Sequence, residues 1–186
     1  MPTLRLAPAT TEDYRRLAEK RLPRTLFDYI DGGAYREVTL AENISDFDAL
    51  KMKQRVMNDV SDVDTSTSLL GESWSMPMAL APVGLAGMMA RRAEVQAMKA
   101  ADTAGIPFCL STVGICSLEE VADVTESSFW FQLYMLRDRG AVQELLQRAR
   151  DVGVTTLVFT VDLAVVGARY RDIRNGMSGG ISPWGK

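Results

Sequence analysis

The sequence predicts an α/β fold: a parallel sheet built from βα units, preceded by a helical N-terminal segment. Three observations lead there. Short apolar runs, MPMALAPV, IPFCLST, FWFQLYM and TTLVFTVD, begin at residues 76, 106, 129 and 155. Between them lie stretches with helix start and stop signals. Ahead of them, residues 1–75 read mainly as helix and carry no such run. Continuously apolar strands are covered on both faces, which is the habit of parallel sheets flanked by helices. A doubly wound sheet and a (β/α)8 barrel both meet this pattern. A complete barrel takes about 250 residues. The chain has 186 and its fourth run ends at Asp162, so as a barrel it is half of one.

Each element has its own signal. Thr10 and Asp13 form a capping box ahead of YRRLAEKRL. Pro23 suits the first turn of PRTLFDYID, which stops at Gly32-Gly33. AYREVTLAENISDFDAL predicts a third helix, and residues 51–75 a loop with a short strand. After the first apolar run, ARRAEVQAMKAADTAG ends on Gly105 as a helix does. SLEEVADV opens with a second capping box, Ser117 with Glu120. RDRGAVQELLQRARDVG ends on Gly153, and the tail NGMSGGISPWGK reads as loop.

Composition narrows the function classes. Hydrophobic residues make up 47% and charged residues 24%, enough apolar material for a core. A net charge of -3 argues against a nucleic-acid binder, which usually shows a basic face. Nothing resembles a membrane-spanning stretch or a signal peptide, which leaves peripheral membrane contact open. Cys109 and Cys116 form no C-x-x-C pair and are expected to be buried thiols in a reducing, cytoplasmic compartment.

Chemistry in parallel α/β folds gathers at the C-terminal ends of the strands. The first run ends in Pro82, Val83 and Gly84, the second in Ser111 and Thr112. The third carries Gln132 and Tyr134; the fourth ends in Thr160 and Asp162, with Arg169 following. Singly, each has an ordinary explanation. Ser111 and Thr112 cap the next helix, Gln132 joins a structural hydrogen-bond network, and Arg169 is a solvated loop cation. Together they suit a flat polar heterocycle plus an anion, since an arginine fork binds both oxygens of a carboxylate. There is no thiol–histidine pair and no metal-ligand cluster.

The strings PRTLFDYIDGGA, SMPMALAPVGLAGM, GIPFCLSTVGICSLEEVA, FWFQLYMLRDRG and TLVFTVDLAVVGARYRD resemble the FMN-dependent α-hydroxy acid dehydrogenases and oxidases. Within that family they look most like the bacterial respiratory L-lactate dehydrogenases. The resemblance covers about residues 10–179. It implies the N-terminal half of a (β/α)8 TIM barrel, with residues 1–75 a helical N-terminal segment and 76–186 the first four βα units of an FMN-binding barrel. It implies that Tyr29 and Arg169 bind the substrate carboxylate and that Tyr134 lies near the substrate hydroxyl as a catalytic group. It further implies that Pro82, Val83 and Gly84 lie against the flavin, and that Ser111, Gln132 and Thr160 bind its polar edge. Asp162 matches an acid of the same motif without an assigned role. Gly84 stands where many oxidase members carry alanine, which leans toward a dehydrogenase with a quinone-type acceptor. Val113 stands where glycolate-oxidase-type members carry a bulky aromatic residue, which is compatible with a different acid.

The function so implied is oxidation of an L-2-hydroxy acid, L-lactate to pyruvate, with FMN. Expected partners are the small-molecule 2-hydroxy acid, a C-terminal half of the barrel, further copies in a homo-oligomer, and peripherally the cytoplasmic face of the inner membrane. In this family the proton-accepting base is a histidine from the second half of the barrel, and this chain has none. Neutral-pH general-base chemistry favours imidazole. The chain alone is therefore expected to be inactive. Two alternatives stand beside this reading: an inactive truncated product, and a non-catalytic assembly module that associates through open sheet edges.

Overall fold

The structure, a computed structural model, describes residues 7–162 and 167–177. In chain order the elements are α1 (Thr11–Arg21), α2 (Arg24–Asp31), α3 (Val38–Ala49), β1 (Thr67–Leu69), β2 (Glu72–Trp74), α4 (Ala86–Met89), α5 (Ala93–Ala104), β3 (Cys109–Ser111), α6 (Leu118–Ala122), β4 (Trp130–Tyr134), α7 (Arg139–Asp151), β5 (Thr156–Thr160) and α8 (Tyr170–Arg174). They fall into two compact units. One comprises residues 1–55 with 166–186, the other residues 56–165.

In the first unit the local signals act as read. The Thr10 hydroxyl accepts from the Asp13 N–H at 3.2 Å, and the Asp13 carboxylate accepts from the Thr10 N–H at 3.1 Å. α2 starts one residue later than expected, with Pro23 as its N-cap, and closes where the Gly32 N–H donates to the Asp28 carbonyl at 2.9 Å. A Cβ at Gly32 would stand 2.6 Å from that same carbonyl, so only glycine allows the close turn. α8 was not expected: its residues have helical spacing but too few apolar positions to announce a helix.

The second unit holds a parallel sheet in the order β3-β4-β5. Cys109 faces Trp130, Gln132 faces both Ser111 and Val158, and Tyr134 faces Thr160. The expected strand at 76–83 is reduced to one bridging residue, Leu80, paired in parallel with Phe108. Two hydrogen bonds make this bridge, Leu80 N–H to the Pro107 carbonyl (2.9 Å) and Cys109 N–H to the Leu80 carbonyl (3.0 Å). The reason is local. The next rung in each direction needs the N–H of Pro82 or of Pro107, and proline has none. The fourth strand also stops early, at Thr160, leaving Asp162 exposed beyond it.

β4 shows the alternation that organises this unit. Phe131 and Leu133 point into a core with Met98, Val121 and Val142. Trp130, Gln132 and Tyr134 point to the opposite face. The register carries the first face on to Leu157 and Phe159 of β5, which are 46% and 48% exposed. The β1–β2 hairpin covers the N-terminal end of the strands: Glu72 accepts from Trp130 Nε1 (3.1 Å) and Thr155 Oγ1 (3.0 Å). On the helical side, Arg148 of α7 holds Glu119 of α6 through two 2.8 Å bonds, and this guanidinium pulls the Glu119 carboxyl down to about 2. Phe131→Ala is expected to cost about 3–5 kcal/mol, the range for a buried aromatic cut back to a methyl, read as a shift of the urea midpoint.

Candidate active site

The second unit gathers polar groups at the C-terminal ends of its strands. Gln132 is 3% exposed. Its Oε1 accepts from Ser111 Oγ at 3.1 Å and from the Thr112 N–H at 3.2 Å. Its Nε2 donates to Thr160 Oγ1 at 2.7 Å. Thr112 Oγ1 donates to the Gln132 carbonyl at 2.5 Å and accepts from the Tyr134 N–H at 3.2 Å. Three of the expected cofactor-binding side chains, Ser111, Gln132 and Thr160, thus form one hydrogen-bonded line across three neighbouring strands. An unpaired buried amide costs about 1–3 kcal/mol per lost partner, and this line supplies the partners. The bond to Thr160 uses one of the two hydrogens on Nε2.

Pro82, Val83 and Gly84 lie in the loop after the Leu80 bridge, and Val83 is exposed. That loop is fastened to the loop after β3. Leu85 N–H donates to the Val113 carbonyl at 2.9 Å, and Val113 N–H donates to Ser111 Oγ at 3.3 Å. A Cβ at Gly84 would stand 2.8 Å from Val113 Cγ2, so this backbone comes close only because residue 84 has no side chain. A flat polar ring requires side-chain donors and acceptors in a line and a backbone free of bulk beside it. These residues offer both, so they fit the edge of a flavin ring. The thiols take no part: both are free, burial pushes Cys109 up to about 12, and burial raises Cys116 also.

The first unit brings Tyr29 and Arg169 together. The Arg169 guanidinium lies over the Tyr29 ring, 5.1 Å from its centroid, and donates from Nη2 to the Tyr29 backbone carbonyl. Its Nε is ion-paired with the buried Asp172 at 2.7 Å. Arg169 is therefore a braced cation and not a freely solvated one. The brace continues through Arg171, which donates to Asp31 (2.8 Å) and Glu37 (2.7 Å), while Asn175 donates to Asp28 (2.8 Å). Arg15 pairs with Asp31 as well. These cations hold Asp31 and Glu37 below the usual carboxylate range; Arg15 is the main cause at Asp31 and Arg171 at Glu37. Asp172 was missed in the sequence, although its i+3 spacing from Arg169 is a helix-pair signal.

Parallel βα units with polar groups at their strand ends define an α/β protein of the class that carries its chemistry at that face. The chain belongs to the FMN-dependent dehydrogenase family, whose model matches residues 18–183. It is the N-terminal half of a (β/α)8 barrel preceded by a helical segment. It is 58% identical over 171 residues to an L-lactate dehydrogenase of Caulobacter sp. (strain K31), covering 92% of this chain and 45% of that protein. Among solved structures, a soluble mutant of the membrane-associated (S)-mandelate dehydrogenase from Pseudomonas putida matches at a TM-score of 0.85 and 39% identity, over 94% of this chain and 49% of the other. A monotopic membrane (S)-mandelate dehydrogenase matches at 0.88 and 37%, over 95% and 47%. The chain spans less than half the length of the curated relatives it matches.

Arg171→Gln is expected to destabilise the first unit by about 1–3 kcal/mol, because partly buried carboxylates lose their cation. The sign of the pH effect follows. Carboxyls depressed in the folded state stabilise it above their unfolded values and lose that contribution as pH falls through the folded ones. Urea titrations at pH 7 and pH 3 are therefore expected to show a smaller gap between variant and wild type at pH 3.

Proposed function

We propose that the whole protein to which this chain contributes oxidises an L-2-hydroxy acid, L-lactate to pyruvate, and passes the electrons to a quinone-type acceptor. The observation that carries this reading is the buried Ser111–Gln132–Thr160 line at the strand ends. The names of the relatives favour lactate. FMN, when bound, supplies acceptance of the two electrons that leave the substrate.

The residues take the following parts in this proposal. Gln132 offers its second Nε2 hydrogen to the flavin edge, with Ser111 and Thr160 holding the amide plane. Pro82, Val83 and Gly84 present backbone to the ring. Arg169 and Tyr29 bind the substrate carboxylate, and Asp172 and the Tyr29 carbonyl aim the guanidinium. Tyr134 acts at the substrate hydroxyl. Residues 1–75 serve as the helical lead-in and 76–186 as the first four βα units.

The chain has no histidine, so the base that takes the substrate proton is proposed to come from a C-terminal half. The half-exposed Leu157 and Phe159 on β5 favour such a partner, since large apolar side chains on a sheet face gain from being covered. Among the described residues no helix is long and apolar enough to cross a membrane. Peripheral contact with the cytoplasmic face of the inner membrane, in a homo-oligomer, completes the proposal.

The test uses the whole protein. An FMN absorbance band that bleaches anaerobically with L-lactate and returns with a quinone is the expected result; absence of FMN overturns the reading. Arg169→Lys is expected to raise KM and lower kcat, because a point charge does not replace the planar fork. Unchanged kcat/KM would remove Arg169 from the substrate site. Gln132→Ala is expected to weaken FMN retention, measured by dialysis against buffer.

A further inference from the structure

Glu94 is the second residue of α5 and is 2% exposed. Its Oε1 accepts two backbone N–H bonds, from Gly87 in the first turn of α4 at 3.0 Å and from Ile115 in the loop after β3 at 2.8 Å. Its Oε2 is buried without an aligned hydrogen-bond partner among the described residues; the buried Cys116 thiol stands beside the carboxylate, and no ion pair with a cation is found for it there. Burial acts against the charge, but the backbone N–H bonds, with the Cys116 thiol beside them, together hold the carboxyl below its ordinary range, so the buried group is an anion. The N-terminus of α5 favours that charge as well. A charge kept in the core without a counter-ion is costly and uncommon.

What the carboxylate joins gives it a purpose. Gly87 belongs to the segment that follows Pro82–Gly84, and Ile115 to the segment that follows Ser111–Val113. The two segments touch so closely that a Cβ at Gly87 would stand 2.6 Å from Ile115 Cβ. The backbone here is also strained. Leu85 (φ 56°) and Arg92 (φ 51°) are both left-handed without being glycine. Such conformations persist where surrounding contacts over-determine them. Glu94 ties this strained stretch, at Gly87, to Ile115 beyond β3, beside the backbone bond from Leu85 to Val113.

We propose that Glu94 is a positioning residue for cofactor binding: its carboxylate locks the 82–87 segment to the 112–115 segment, and so fixes the Pro82–Gly84 backbone relative to Ser111 and Gln132. The inference rests on the FMN reading above. It assigns the cofactor's fit to a residue that lies on neither loop.

The test measures FMN affinity of the whole apoprotein by fluorescence quenching, alongside thermal unfolding. Glu94→Ala is expected to weaken FMN binding about tenfold or more, as loss of two charge-assisted bonds allows. Glu94→Gln keeps an Oε1 acceptor for both N–H groups and is expected to stay within about threefold of wild type. Gly87→Ala keeps the carboxylate in the chain but sets a Cβ 2.6 Å from Ile115 Cβ and 3.1 Å from Glu94 Oε2, forcing the segments apart, and is expected to weaken FMN as Glu94→Ala does. If Glu94→Ala does not fold, Gly87→Ala with Glu94→Gln decides in the same terms. Wild-type FMN affinity in folded Glu94→Ala or Gly87→Ala overturns the positioning role. Failure of wild type itself to bind FMN sinks the parent reading instead.

Discussion

The second unit depends on the side-chain alternation of β4. Five residues put Phe131 and Leu133 into the apolar core and Gln132 onto the opposite face. Because the period is two, a slip of one residue would bury the amide among hydrocarbons and lift both apolar side chains out. Gln132 has partners only in the observed register: a hydroxyl one strand away on one side and another on the other. Apolar packing and amide pairing therefore select the same alignment of three strands. The site and the core are two consequences of one register.

Negative charge is held in two ways, by cations in both units and, at one buried site, by backbone. In the first, Asp28, Asp31 and Glu37 meet cations from Arg15 and Arg171. The charges are only partly withdrawn from water, so pairing is favourable. In the second, Glu94 is withdrawn almost completely and relies on backbone dipoles. Ion pairs fasten helix to helix, whereas the Glu94 carboxylate fastens the first turn of α4 to the loop after β3, where N–H groups have no partner within a helix or strand.

Much of this was legible in the sequence because the signals were local. The caps at Thr10 and Ser117 and the left-handed Gly105 each need only a few neighbouring residues. The apolar runs announced β3, β4 and β5, and their shared ends exposed Ser111, Gln132 and Thr160 as a set. Other features were hidden. The first run looked like a full strand because its prolines sit at its margins, and the effect of Pro107 acts on a partner segment. The brace on Arg169 was invisible because Tyr29 stands 140 residues away in the chain. Glu94 carries no signal of its own in the sequence, since its burial depends on α4 and the loop after β3, which pattern alone does not bring together.

The single-residue bridge at Leu80 has a consequence for motion. β4 is flanked on both sides by strands, whereas the Leu80 segment is held to the sheet by only two backbone bonds. Opening such a segment exposes few amides and little apolar surface, so it belongs to the low end of the range of local unfolding energies. The barrel half is thus graded: amide exchange is expected to be slowest at β4 and faster at the Leu80 bridge, with the segment beyond it refastened by the Leu85 N–H bond to the Val113 carbonyl.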